Sequence, residues 1–148
     1  MKILMVCLGN ICRSPLAHGV LQHLVTKKGL TWTVDSAGTG NWHVGDPPDR
    51  RSIAIAKRYG IDISRQRAQQ FDYSHFYEYD HILVMDRENL RNVLAQAKTD
   101  EQRARVQLFL PDNEVPDPYF NDSLFDPVYQ LVANRCEELV TEWRKDKQ

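Results

Sequence analysis

The sequence is short of the features that would place it across a membrane, in a disulfide-stapled scaffold or along a nucleic acid. Its N-terminal apolar run, Ile3-Leu4-Met5-Val6, is far below the roughly 20 residues that a bilayer-spanning helix needs. The same run is too short for a signal-peptide core and has no small-residue cleavage site after it, so a cytoplasmic location is expected. Three cysteines in 148 residues make no disulfide framework, and the useful question is which thiol is reactive. A formal net charge of −1 gives no global field for nucleic acid or an anionic membrane, so neither partner is expected. Any anion site must therefore be local. The five histidines show no ligand spacing, so neither a metal nor another cofactor is expected. Repeats, low-complexity tracts and linkers are missing too. The chain reads as one domain over residues 1–148, long enough to bury roughly 70% of its unfolded surface.

What is present is an alternation of strands and helices. Lys2 to Val6 is a continuous apolar run, as suits a strand buried on both faces of a parallel sheet. A helix follows, with Ser14 as N-cap, Pro15 as first helical residue and Gly29 as its stop. Leu16, Val20, Leu21, Leu24 and Val25 form its apolar stripe. Thr31–Ser36 reads as a second strand, Thr39–Asp49 as a loop, and Ser52–Tyr59 as a helix stopped by Gly60. His81–Met85 is a third strand, Glu88–Ala97 a helix and Val106–Leu110 a fourth strand. A last helix opens with Asp126 as N-cap and Pro127 at its first position. Val128, Leu131, Val132, Cys136, Leu139, Val140 and Trp143 make its buried face. The pattern predicts an α/β domain: a four-stranded parallel sheet flanked by helices on both faces, joined by right-handed crossovers. In such sheets ligands bind beyond the carboxyl ends of the strands.

At that position lies Cys7-Leu8-Gly9-Asn10-Ile11-Cys12-Arg13-Ser14, between the first strand and the first helix. A loop that turns into a helix N-terminus offers converging backbone N–H donors and the positive end of a macrodipole. Gly9 and Asn10 are the residue types that best accept the left-handed backbone of a tight amide nest. Arg13 adds a planar fork that matches two phosphate oxygens. These are the parts of a phosphate-binding loop. Cys7, at the start of the cradle, is expected to be held as a thiolate and to be the nucleophile, with the Ser14 hydroxyl available to donate to its sulfur. Cys12 is either a redox partner for Cys7 or a small residue packed under the loop, and Cys136 is core.

This loop, near the start of a chain of this length, resembles the signature of the low-molecular-weight protein tyrosine phosphatases. The resemblance extends through Asp35-Ser36-Ala37-Gly38-Thr39, Trp42-His43-Val44-Gly45 and Asp117-Pro118-Tyr119. It implies hydrolysis of phosphotyrosine in protein substrates through a phosphocysteine on Cys7, with inorganic phosphate and vanadate as inhibitors. Expelling a phenolate at neutral pH is slow, so a proton donor is needed. The resemblance gives that part to Asp117, in a segment fixed by three prolines. It also places Trp42 and Tyr119 as aromatic walls of a cleft deep enough for phosphotyrosine. Phe120 stands where many relatives carry a second tyrosine. Arg65 to Gln70 matches the family only loosely, and no supporting contact from it to Asp86 is expected.

Two other activities share the fold. Thioredoxin-coupled arsenate reductases need a further nearby thiol pair, and beyond Cys7 and Cys12 there is only Cys136. Phosphoarginine phosphatases tend to carry threonine where this chain has Ile11, whose apolar side chain resembles the tyrosine-specific branch. A phosphopeptide-binding module would need the cradle but neither Cys7 nor Asp117.

Overall fold

The computed structural model describes residues 1–145. Four strands, β1 (Lys2–Cys7), β2 (Thr33–Gly38), β3 (His81–Val84) and β4 (Val106–Leu108), form one parallel sheet in the order β2-β1-β3-β4. Six α-helices accompany it: α1 (Arg13–Lys27), α2 (Arg50–Arg58), α3 (His75–Glu78), α4 (Arg87–Leu94), α5 (Asp100–Ala104) and α6 (Phe125–Lys145). The unbroken apolar run of β1 is explained by burial on both sides. Ile3, Met5 and Cys7 join the core under α1 and α6, while Leu4 and Val6 join a second core with Phe76, Val93 and Ile82. Period-2 geometry thus feeds two helical layers from one strand.

The strand order decides where a ligand can sit. From β1 the chain crosses to β2 on one side, and later returns to β3 on the other. A crevice opens at such a switch point, just beyond the carboxyl end of β1. Cys7 is the last residue of β1 and α1 begins at Arg13, so residues 8–12 make the turn at that crevice.

Several boundaries differ from the sequence reading. Ser14 is not the N-cap of α1: the cap is Cys12, without a side-chain bond, and the Ser14 hydroxyl faces the loop instead. The strand expected from Thr31 starts at Thr33, because Trp32 leaves the ladder to pack edge-on against Trp143. Asp126 is not an N-cap either. A 3₁₀ turn over Asp122–Leu124, capped by Asn121, leads straight into α6, and Asp126 lies in its first turn accepting from the Tyr59 hydroxyl at 2.9 Å. Leu131 is 41% exposed rather than core. Arg135 takes the buried position, donating from Nε to the Phe109 carbonyl at 2.7 Å. Helices α3 and α5 were not expected, being too short for a periodicity signal. The glycine stops hold: Gly29 and Gly60 have φ of 66° and 83°, past the ends of α1 and α2.

Candidate active site

The turn after β1 is held from inside by one side chain. Asn10 adopts φ 56°, a conformation Asn tolerates better than most residues. Its Oδ1 accepts from the Gln69 backbone N–H at 3.0 Å, and its Nδ2 donates to Ser14 Oγ at 2.7 Å. Because the Gln69 N–H can only donate, the amide orientation of Asn10 is fixed. Ser14 Oγ therefore receives a hydrogen from Asn10, and its own hydrogen is free to turn toward the Cys7 sulfur, 3.0 Å away. Gly9, by contrast, is not left-handed; its place is explained by His43, whose Cδ2 would lie 3.2 Å from a β-carbon there. None of the backbone N–H groups of Gly9 to Cys12 donates to another group among the described residues. The N–H groups of this run are therefore free to donate to a ligand in the turn.

The loop is also backed by β2 and the turn after it. Thr39 N–H donates to the Cys7 carbonyl and Gly40 N–H to the Leu8 carbonyl, each at 2.9 Å. A β-carbon on Gly38 would sit 2.9 Å from Leu8 O and 3.1 Å from the Asn10 nitrogen, so only glycine allows this approach.

Arg13 is almost fully buried. Its Nη1 donates to Asp86 Oδ2 at 2.8 Å and to the Val115 carbonyl at 2.9 Å, and its Nη2 lies 3.8 Å from Asp117 Oδ2. Burial opposes its charge, but the Cys7 sulfur, the Asp86 hydrogen bond and Asp117 together keep the guanidinium pKa above its ordinary value. Asp86 is in turn fixed as N-cap of α4, accepting from Asn89 N–H at 2.8 Å. Asp86 was not foreseen as the partner of Arg13: it lies two residues past the end of β3, and only the pairing of β3 with β1 brings it to the loop. The Arg65–Gln70 segment meets the loop through Gln69, not through Asp86.

These groups surround a cleft of about 210 Å³ lined by Cys7, Leu8, Gly9, Ile11, Cys12, Arg13, Trp42, His43, Asp117, Tyr119 and Phe120. Of the residues expected at the site, all lie on this lining except Asn10 and Ser14, which are buried behind it. His43, paired with Asp46 at 3.2 Å, and Phe120, 91% exposed, are additions. Trp42 is 68% exposed on the rim, its ring against Gly40. Asp117 is partly exposed and accepts from Tyr119 N–H at 3.1 Å. Cys12 is buried, and burial, with Asp49 and Cys7 adding to it, pushes its thiol pKa up to about 12. Cys136 is fully buried against the Ala17 carbonyl, and burial raises its thiol as well.

Known proteins resemble the chain over nearly its whole length. Residues 2–148 match the model of the low molecular weight phosphotyrosine protein phosphatases. The low molecular weight protein-tyrosine-phosphatase YfkJ of Bacillus subtilis is 38% identical, over 99% of this chain and 98% of its own length. A protein tyrosine phosphatase structure from Entamoeba histolytica superposes with a TM-score of 0.92 at 30% identity, covering 100% of this chain and 99% of that one. A Drosophila arginine phosphatase superposes with a TM-score of 0.89 at 33% identity, covering 97% and 98%.

Proposed function

Because the chain belongs to the low molecular weight phosphotyrosine protein phosphatase family and is accordingly a phosphatase, we propose that it hydrolyses phosphotyrosine in proteins through a phosphocysteine on Cys7. The observation that carries this is the Cys7 sulfur on the cleft lining, 3.0 Å from the Ser14 hydroxyl, with Arg13 and Asp117 on the same lining.

The phosphate dianion enters the turn and is bound by the Leu8–Arg13 backbone donors and the edge of Arg13 not taken by Asp86 and Val115. The Cys7 thiolate attacks phosphorus opposite the phenolic oxygen; the S–P bond forms as the P–O bond breaks. The Asp117 carboxyl donates its proton to the departing oxygen and leaves as carboxylate. That carboxylate then takes a proton from a water attacking phosphorus, which releases inorganic phosphate. Sulfur departs as thiolate, stabilised by the Ser14 hydrogen and the helix N-terminus. Trp42 and Tyr119 would hold the phenyl ring, a depth that phosphoserine does not reach. Inorganic phosphate and vanadate, as tetrahedral or trigonal-bipyramidal mimics, would compete. We place the reaction in the cytoplasm, since a thiolate nucleophile needs a reducing compartment.

The likeness to an arginine phosphatase supports a second reading, hydrolysis of phosphoarginine. Ile11, apolar and on the cleft lining, favours tyrosine. Kinetics on matched phosphotyrosine and phosphoarginine peptides decide between them: kcat/KM higher for phosphotyrosine is expected, and equal or better use of phosphoarginine would overturn the choice. An arsenate reductase relay would need a third accessible thiol, and Cys136 is buried.

A further inference from the structure

We propose that Arg51, which is not on the cleft lining, is a positioning residue that aims the Asp117 carboxyl at the leaving oxygen; the inference rests on Asp117 being the general acid. Arg51 is the second residue of α2, and its guanidinium is shared between two segments distant in sequence. On one side Nε and Nη2 grip both carboxylate oxygens of Asp49 at 3.0 and 2.9 Å. On the other, Nη1 donates to the Tyr119 carbonyl at 2.9 Å and to Asp122 Oδ1 at 2.7 Å. The planar group lies over the Phe125 ring, 4.6 Å from its centroid, and 5.4 Å from that of Tyr119.

Both ends of this clamp reach the site. The Asp49 N–H donates to the Ile11 carbonyl at 2.8 Å, tying the clamp's base to the phosphate-binding turn. At the other end one residue joins clamp and acid: the Tyr119 carbonyl accepts from Arg51, while its N–H donates to Asp117 Oδ1. Pro116 to Phe120 has no helix or strand to fix it. Among the described residues, this stretch is otherwise tied down by the Arg13–Asp117 ion pair at 3.8 Å and by a bond from the adjoining Asn121 N–H to the Pro118 carbonyl, so Arg51 supplies the one side-chain hydrogen bond to its backbone from a distant element. Lone surface ion pairs contribute little stability, and Asp122 is largely exposed. A planar fork that satisfies a carboxylate, a carbonyl and two rings fixes geometry, which is what proton transfer over a short distance requires.

The test is leaving-group dependence. A poor leaving group such as phenolate needs the proton from Asp117, whereas 2,4-dinitrophenolate departs without it. In Arg51→Gln, kcat/KM for phenyl phosphate is expected to fall about 10-fold to 100-fold, while that for 2,4-dinitrophenyl phosphate changes by no more than about twofold. Asp117→Ala serves as reference and should show the same selectivity with a loss of about 10²–10⁴-fold. Asp122→Ala, which removes one exposed arm of the clamp, should show a smaller selective loss; it carries the test if Arg51→Gln does not fold. Equal losses on both esters, or none, in a folded variant overturn the proposal. If Asp117→Ala itself shows no selectivity, the general-acid reading fails, a result distinct from failure of Arg51 alone.

Discussion

At the scale of single residues, the two cysteines of the turn differ by what surrounds them. Cys12 is buried among Ile11, Ala68 and Phe125, with a thiol raised to about 12, so at neutral pH it is protonated. Cys7 meets a hydroxyl donor and a guanidinium across the cleft. Brief treatment with iodoacetate near neutral pH is therefore expected to carboxymethylate Cys7 and leave Cys12 and Cys136 unmodified in a peptide map, with inorganic phosphate protecting Cys7. Labelling of Cys12 at a comparable rate would contradict the assignment. The hydroxyl should be visible kinetically. Ser14→Ala removes the hydrogen bond to the sulfur that departs in the proposed mechanism; bonds to a group of that charge are worth about 1.5–3 kcal/mol, so kcat should fall about 10-fold to 100-fold with phosphate affinity little changed. The left-handed turn at Asn10 was legible in the sequence, because Asn tolerates that backbone, whereas the reason for Gly9 was not, since His43 comes near it only in the fold. The use of Ser14 was only half legible, since the N-cap reading competed with the sulfur contact and lost to it.

At the scale of elements, the turn depends on neighbours that only the sheet brings near. Gly38 ends β2 and Asp86 follows β3, and the parallel register sets them on either side of the end of β1. Gly38→Ala would press a β-carbon to 2.9 Å from the Leu8 carbonyl oxygen, a backbone atom with no room to yield. The expected result is a loss of phosphate affinity of about tenfold or more with a small change in melting temperature, measured by competition against an aryl phosphate. Unchanged affinity would show that the close approach is not needed. Asp86→Ala removes both the cap of α4 and the partner of a buried guanidinium. A loss of about 2–4 kcal/mol in urea unfolding is expected. Neither role was legible from sequence, because residues some 30 and 80 positions from the loop become its neighbours only through strand order. Arg51 is hidden for the same reason, since it acts between α2 and the turn before α6.

At the scale of the whole molecule, the apolar pattern was informative and the boundaries were not. The double burial of β1 and the stripes of α1 and α6 fixed the class, and the order β2-β1-β3-β4 then placed the crevice where the cysteine turn lies. Leu131 was misplaced because neighbouring apolar residues on a helix sit about 100° apart, and Arg135 took the inward position through its bond to Phe109. Leu139 belongs to the core that Cys7 also joins, but it is not on the cleft lining. Leu139→Ala, in the fully buried interface of α6 with α1 and the sheet, should cost about 2–5 kcal/mol while kcat/KM at a temperature well below melting stays near wild type. A matching fall in activity would mean that core packing and site geometry are coupled.

The central claim is that phosphate passes through the sulfur of Cys7. Rapid acid quench of the enzyme during turnover of a phosphotyrosine peptide, followed by mass spectrometry of the peptide containing residues 7–13, tests it directly. A phosphoryl group on Cys7 is expected in the wild-type enzyme, accumulating in Asp117→Ala when 2,4-dinitrophenyl phosphate, whose leaving group needs no proton, replaces the peptide, and missing in Cys7→Ser, which still binds phosphate. Phosphate found on any other side chain, or turnover by Cys7→Ser, would contradict it.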